Sequence, residues 1–150
     1  MKRPVSPAPT ITALTTAPSA AAAKRLVRAL VERRVIACGT VLPGAVSIYR
    51  WQGAVVEEDE VVVLLKTTAA RWAELAATLP GLHPYEVPEL LALPVADGHP
   101  PYLDWVRAET GGRPAPGRGG SRGAAGSSGR RIGGVVPGSA HVGRGKHEKE

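Results

Sequence analysis

The chain has 150 residues, of which 43% are hydrophobic, and a formal net charge of +6. This length allows one folded domain with extensions at its ends. The charge is unevenly distributed: residues 10–110 carry 9 Lys and Arg against 11 Asp and Glu, a net of −2, whereas residues 111–150 carry 8 against 2. The folded body is therefore not predicted to bind a specific nucleic acid.

Both ends of the chain have the composition of disordered segments. Residues 111–150 form a tail rich in Gly and Arg that contains no aromatic residue. Such a segment cannot bury enough apolar surface to offset the entropy of ordering it. We predict that residues 1–9 and 111–150 are disordered and that the folded domain spans residues 10–110.

Two features indicate the cellular compartment. Cys38 is the only cysteine, which excludes an intramolecular disulfide and suits a reducing compartment. The first residues lack the apolar region of a signal peptide, and no stretch reaches 18 apolar residues. We therefore expect a cytoplasmic protein with no membrane partner.

The first third of the chain predicts a strand followed by a helix. Residues 10–16 alternate threonine with apolar residues and are rich in β-branched side chains. Ser19 is a suitable N-cap for a helix that continues to about Arg34. The apolar residues of this helix lie on one stripe and its charged residues on the other face, which is the pattern of a helix covering a sheet.

A second strand and a tight turn follow. Residues 36–51 predict a strand that is kinked or bulged at Pro43-Gly44. We place the turn at residues 51–54, because that register brings Lys66 opposite the start of the second strand, near Cys38.

The rest of the domain predicts two further strands and two helices. Residues 61–65 are five consecutive apolar residues, which predicts a third strand buried on both faces. Thr68 is expected to cap a helix that ends at Leu79. Residues 87–95 predict a fourth strand, and residues 101–108 a short final helix.

This order predicts an α+β fold with the ferredoxin-like split βαβ arrangement, βαββαβ plus a short C-terminal helix, around an antiparallel sheet. Right-handed crossovers place the first and third strands at the centre and the second and fourth at the edges. The prolines agree with this order, because proline is confined to edge strands, strand starts and bulges. Pro43 lies in the second strand, and Pro88 and Pro94 lie in the fourth.

The folded region also contains a set of specific motifs. These are T-T-A-P-S from Thr15, A-C from Ala37, V-L-P-G-A-V-S-I-Y-R-W-Q-G from Val41, L-L-K-T from Leu64, H-P-Y-E-V-P-E from His83, L-P-V from Leu93 and Y-L-D-W from Tyr102. Together they resemble the CutA family of divalent-cation tolerance proteins. The resemblance implies a PII-like homotrimer with clefts between subunits and a role in tolerance of copper and other divalent cations. The tail has no counterpart in the family pattern.

Four residues are candidate metal ligands. Cys38 is the only possible thiolate, and copper favours thiolate and imidazole ligands. His83 precedes a proline, which biases its backbone toward an extended conformation. Glu86 and Glu89 follow closely and could add oxygen ligands. Alternative readings remain open: Cys38 as a small buried residue, His83 as a structural residue of its loop, and both glutamates as solvated or paired carboxylates.

A second set of residues is assigned to a ligand cleft or a subunit interface. Lys66 either pairs with a carboxylate or faces an anion in a cleft. Aromatic residues concentrate in the cores of protein interfaces, and the chain has few of them. The candidates from this group are Tyr49, Trp51, Tyr85, Tyr102 and Trp105.

The expected open face of the sheet predicts self-association. The two main helices can cover one face, while the third and fourth strands carry apolar residues that point to both faces. Exposed apolar area and unpaired strand edges invite association, and a closed homotrimer would cover both.

No catalytic fingerprint is present in residues 10–110, which lack a G-x-S-x-G motif, a P-loop and a dinucleotide-binding motif. The sequence therefore predicts a non-enzymatic protein with no organic cofactor. Our interpretation is a cytoplasmic homotrimer that binds divalent cations, with copper as the favoured ion, at or near its subunit interfaces. The alternative is a PII-like signalling or scaffold trimer that binds a small anionic ligand or a protein partner.

Overall fold

The computed structural model describes residues 8–111 of the chain. It contains β1 (Thr10–Ala17), α1 (Ala20–Glu32), β2 (Cys38–Trp51), β3 (Ala54–Thr68), a 3-10 turn (Ala69–Arg71), α2 (Trp72–Leu82), β4 (Leu91–Pro94) and α3 (Pro100–Thr110). The predictions of disorder for the two ends lie almost entirely outside the described residues. Within the described part, no helix has the length and apolar character needed to span a membrane.

The four strands form one antiparallel sheet in the order β2-β3-β1-β4. This order confirms the predicted ferredoxin-like arrangement, with β1 and β3 at the centre. The register also agrees, because Trp51 pairs with Ala54 and Cys38 with Lys66. The predicted kink is a bulge between Leu42 and Ala45.

Helix α1 begins where the sequence indicates. The Ser19 hydroxyl accepts a hydrogen bond from the backbone N–H of Ala22 at 3.1 Å, which satisfies one of the unpaired donors of the first turn. Its buried stripe packs on the sheet, and β2 passes so close below it that a Cβ at Gly39 would lie 2.7 Å from a methyl carbon of Val27. Glycine is thus required where the helix approaches the edge strand.

Strand β3 corrects the expectation of a strand buried on both faces. Val61, Val63 and Leu65 are buried on the face that α1 and α2 cover, but Val62 and Leu64 are only half-buried on the opposite face. The strand alternates, because α1 and α2 cover one face of the sheet and leave most of the other uncovered.

Two further boundaries differ from the prediction. The fourth strand is limited to Leu91–Pro94 rather than residues 87–95. Proline has no N–H to donate to a ladder, which accounts for the absence of pairing at Pro88. Thr68 makes no side-chain capping bond, and the helix that follows continues through Pro80 to Leu82.

The face of the sheet opposite α1 and α2, which we call the open face, exposes apolar side chains. It is formed by residues that pair with one another across the strands, such as Leu14 with Leu91 and Leu42 with Val62. Leu42, Leu91 and Leu93 are 45%, 51% and 47% exposed. On the other face of the sheet, at the tip of the β2–β3 hairpin, three further aliphatic residues are exposed, which are Val46, Ile48 and Val55.

Candidate functional site

Cys38 lies at one end of the open face. It is the first residue of β2 and is half-buried, and its Sγ lies 3.5 Å from the Tyr102 hydroxyl of α3. This contact, followed by burial, raises the pKa of Tyr102 to about 12. Lys66, the cross-strand partner of Cys38, donates to the Thr40 hydroxyl on the same face. The site therefore combines a thiol, a phenol and an ammonium group.

His83 lies at a different place, directly after α2, and both of its ring nitrogens are bonded to the backbone. Nδ1 accepts a hydrogen bond from the N–H of Tyr85 at 3.0 Å, so Nε2 carries the proton and donates to the Thr16 carbonyl at 2.7 Å. Burial lowers the pKa of the imidazole, opposed by the bond to the Thr16 carbonyl and by the charge of Glu60. The ring is thus held neutral and fully hydrogen-bonded, and coordinating a cation would require it to release one partner.

A cleft of about 340 Å³ opens beside His83. In its wall the Tyr85 hydroxyl donates to Glu60 at 3.2 Å, and both residues are buried. Burial, followed by the charge of this carboxylate, raises the pKa of Tyr85 well above its usual range. The Tyr49 hydroxyl is also buried and has no hydrogen-bond partner among the described residues. The lining consists of Thr16, Ser47, Ile48, Tyr49, Glu60, Tyr85, Val87 and Glu89.

The remaining predicted site residues occupy separate positions. Glu86 and Glu89 are both exposed, and only Glu89 lines the cleft. Trp51 is half-buried at the tip of the hairpin. Trp105 is partly exposed on α3, with its ring 5.8 Å from that of Tyr102.

The structure therefore forms two groups rather than one. Cys38, Lys66 and Tyr102 lie together, while Tyr49, Tyr85 and Glu89 line the cleft. His83 lies behind that lining, bonded to the backbone of Thr16 and Tyr85. The strand pairing shows how far apart the two groups are. Lys66, of the first group, pairs with Thr12, whereas Thr16, at the cleft, lies four residues farther along β1, or about 13 Å away. No three His, Cys, Asp or Glu side chains of residues 8–111 lie close enough to hold a metal ion. Within one chain, the predicted ligands do not form a coordination sphere.

Sequence reasoning missed the roles of Glu60 and Thr16. Glu60 ends a run of four acidic residues, which indicates a solvated patch, yet it is only 9% exposed. Its alternation with the apolar residues after it was the available signal, since Glu60 shares a face with Val62 and Leu64. Thr16 acts through its carbonyl group, and its side chain type gives no indication of that.

The described domain is an α+β fold of the ferredoxin-like class. Helices α1 and α2 cover one face of its antiparallel sheet, and candidate metal-ligating groups lie at two separate places. The chain belongs to the CutA1 family of divalent ion tolerance proteins, whose sequence model matches residues 11–109. The basic tail lies outside the matched region.

Relatives and solved structures agree with this assignment. The chain is 50% identical over 98 residues to the divalent-cation tolerance protein CutA of Thermus thermophilus, covering 65% of this chain and 95% of that protein. It is 43% identical to Protein CutA of Mus musculus, covering 65% of this chain and 55% of the mouse protein. A structure of the Thermus thermophilus protein superposes with a TM-score of 0.66 at 48% identity, covering 67% of this chain and 98% of the other.

The name of one more distant solved structure states a cellular compartment for that protein. The structure of the periplasmic divalent cation tolerance protein CutA from Archaeoglobus fulgidus superposes with a TM-score of 0.65 at 28% identity, covering 67% of this chain and 98% of that one.

Proposed function

We propose that the protein is a cytoplasmic homotrimer that binds divalent cations, with copper preferred, at sites shared between subunits, and that it acts by binding and not by catalysis. Membership of the divalent ion tolerance family supports the role in metal tolerance. The single cysteine, Cys38, supports a reducing compartment.

The observation that carries this proposal is the separation of the candidate donors within one chain. Copper favours sulfur and nitrogen ligands, and Cys38 supplies the only thiol. Because Cys38 lies away from His83 and from the cleft that Glu89 lines, a closed coordination sphere needs groups from a second chain. The open face, on which Cys38 lies, is the surface that a second chain would cover.

A titration of the full-length protein with Cu(II), followed by calorimetry, tests the proposal. Wild type is compared with Cys38→Ser and Glu89→Gln, in a background in which the tail residues His141 and His147 are replaced by Asn to remove adventitious binding. We expect each variant to weaken binding at least about tenfold. Glu32→Gln, an exposed glutamate on α1, is the matched control and should bind as wild type does. Copper should bind more tightly than zinc, following the Irving–Williams order.

A second candidate function is a signalling or scaffold trimer that binds a small anionic ligand or a protein partner without physiological metal binding. The bonding of both His83 nitrogens to the backbone favours it, because that histidine is not available as a ligand in this conformation. Unchanged copper affinity in Cys38→Ser and Glu89→Gln, together with saturable binding of a nucleotide such as ATP, would replace the first function by the second.

A further inference from the structure

Glu60 is a buried carboxylate without a positively charged partner in the described domain. It is 9% exposed, and one of its oxygens accepts the hydrogen bond from the Tyr85 hydroxyl. Within residues 8–111, its other oxygen accepts no hydrogen bond, and Glu60 forms no ion pair. Removing a carboxylate from water is costly unless a charge of opposite sign compensates it. A ligand that carried a positive charge would supply this compensation.

The cleft that Glu60 lines is negatively charged. Glu89 is the second acidic residue of its wall, and the lining contains no Lys, Arg or His among residues 8–111. A third carboxylate lies near, because burial, followed by the interaction with Glu58, raises the pKa of the Tyr49 phenol. A cleft lined by charges of one sign concentrates ligands of the opposite sign. It therefore attracts cations and repels anions.

The remaining wall of the cleft suits an organic ligand better than a bare metal ion. Its volume of about 340 Å³ is roughly that of ten water molecules in the liquid. Tyr49 and Tyr85 contribute aromatic surface and Val87 contributes aliphatic surface. Aromatic faces attract organic ammonium groups. A calcium ion, in contrast, takes about six to eight oxygen ligands, and no three His, Cys, Asp or Glu side chains of residues 8–111 are grouped for it.

We propose that this cleft binds a small organic cation, an aliphatic ammonium compound, with Glu60 and Glu89 as its counter-ions. An ammonium group has N–H donors for the oxygen of Glu60 that accepts no hydrogen bond. It also has a donor for the Tyr49 hydroxyl, which is buried and lacks a partner among the described residues. Such charge-assisted hydrogen bonds are stronger than neutral ones. The aliphatic part of the ligand packs against Val87.

This inference goes beyond the proposed function. It requires neither a metal ion nor Cys38, which lies away from the cleft. It also differs from the second candidate function, since an anionic ligand would meet the two carboxylates of the wall. Glu89 is common to the copper proposal and to this one, so Cys38→Ser is the variant that distinguishes them.

Isothermal titration calorimetry with the full-length protein, freed of metal by dialysis against a chelator, tests this inference. The probe is 1,4-diaminobutane, whose amino groups are protonated at pH 7, because alkyl amines titrate near pH 10. Two compounds with the same four methylene groups serve as comparisons: 1,4-butanediol is neutral and adipate is anionic. We expect saturable binding of the diamine, binding of the diol at least about tenfold weaker, and no binding of adipate.

Substitutions of single carboxylates locate the site. Glu60→Gln and Glu89→Gln should each lower the affinity for the diamine at least about fivefold, and Tyr49→Phe about threefold. Glu57→Gln is the matched control: Glu57 is exposed, does not line the cleft, and lies three residues from Glu60 and so on the opposite face of β3. Glu57→Gln and Cys38→Ser should both bind the diamine as wild type does.

The variants are chosen so that loss of binding is not loss of folding. Glutamine at position 60 still offers an oxygen to the Tyr85 hydroxyl, and Glu89 is exposed. Circular dichroism checks both. Weaker copper binding in Cys38→Ser, with unchanged diamine binding, would support both proposals, and either can fail without the other.

Three results would overturn the inference. The first is absence of saturable diamine binding to the wild-type protein at millimolar concentrations. The second is binding of the diol or of adipate as tight as binding of the diamine, which would show that charge does not select the ligand. The third is a loss of affinity in Glu57→Gln or Cys38→Ser equal to that in Glu60→Gln and Glu89→Gln, which would place the binding outside the cleft.

Discussion

His83 links two elements of the fold through its ring. It accepts from the backbone next to it and donates to the end of β1, 67 residues earlier in the chain. Only the neutral imidazole can do both, because the protonated ring has no acceptor. The residue therefore connects proton binding to the stability of the loop that forms one wall of the cleft.

This connection predicts a loss of stability in mild acid. The pKa of His83 is lowered in the folded chain, whereas an unfolded histidine titrates near pH 6.5. As the pH falls below about 6.5, the unfolded chain binds a proton that the folded chain excludes, so the free energy of unfolding decreases. Urea denaturation at pH 7 and pH 5 measures this decrease, which His83→Asn should reduce because asparagine does not titrate. His99→Gln, at an exposed histidine, should retain it, and an unchanged pH dependence in His83→Asn would disprove the assignment.

The two groups of site residues were predictable to different degrees. The neighbourhood of Cys38 and Lys66 follows from the position of the hairpin turn, because a turn determines the register of both strands. The partners of His83 could not be predicted, since they are backbone groups that meet only when α2 packs beside β1. The burial of Glu60 depends on which face of β3 it occupies, which its run of acidic neighbours does not indicate.

At the scale of elements, the β2–β3 hairpin has an unusual turn. Gln52 and Gly53 both have positive φ values, 47° and 82°, as a type I′ turn requires. Glycine adopts this conformation without strain, but glutamine is not a favoured residue there. Asparagine tolerates it better, so the turn is not optimised for stability.

Two substitutions in the turn should therefore have opposite effects. We expect Gly53→Ala to lower the free energy of unfolding by about 1 kcal/mol, because alanine is strained at positive φ. Gln52→Asn should raise it by a few tenths of a kcal/mol or more. Gly81→Ala is the control: this glycine lies in α2 with open space around its Cα, and alanine should be neutral or stabilising there. Urea denaturation at one fixed protein concentration measures these changes. A Gly53→Ala variant as stable as wild type would contradict this account.

The elements themselves were predictable from the sequence where local patterns were strong. The periodicity of α1 and its Ser19 cap gave the helix almost to the residue. The apolar run in β3 gave a strand but the wrong burial, because composition does not show how many layers cover a sheet. The fourth strand was overextended, because the proline at position 88 has no N–H to donate to the ladder although β1 continues to Ala17.

At the scale of the whole molecule, the open face remains to be covered. Its aliphatic residues form an apolar surface that one chain leaves in contact with water. Both sheet edges, β2 and β4, also present unpaired backbone groups. The trimer that we propose would bury this surface.

We expect light scattering at micromolar concentration to give a mass of about 47 kDa, three times 15.6 kDa. Leu91→Glu should shift the protein toward monomer, because it places a charge in the middle of the apolar face. Val31→Glu makes the same change at an exposed apolar residue of α1, on the side that the proposed trimer leaves free, and should stay trimeric. A wild-type mass near 16 kDa would exclude the trimer.

The bulge between Leu42 and Ala45 sets the phase of the outer half of the hairpin. Before it, the even-numbered residues of β2 share a face with Lys66 and Leu64, and after it the odd-numbered residues, including Tyr49, share a face with Glu60. If the same residues ran as a regular strand without the bulge, the outer half of β2 would be shifted by one residue against β3. Tyr49 would then turn away from Tyr85 and the cleft, and Val46 would turn toward them, although no side chain of the cleft had been changed. Which side chains form the cleft wall therefore depends on the bulge at Pro43-Gly44 as much as on the residues that line the cleft.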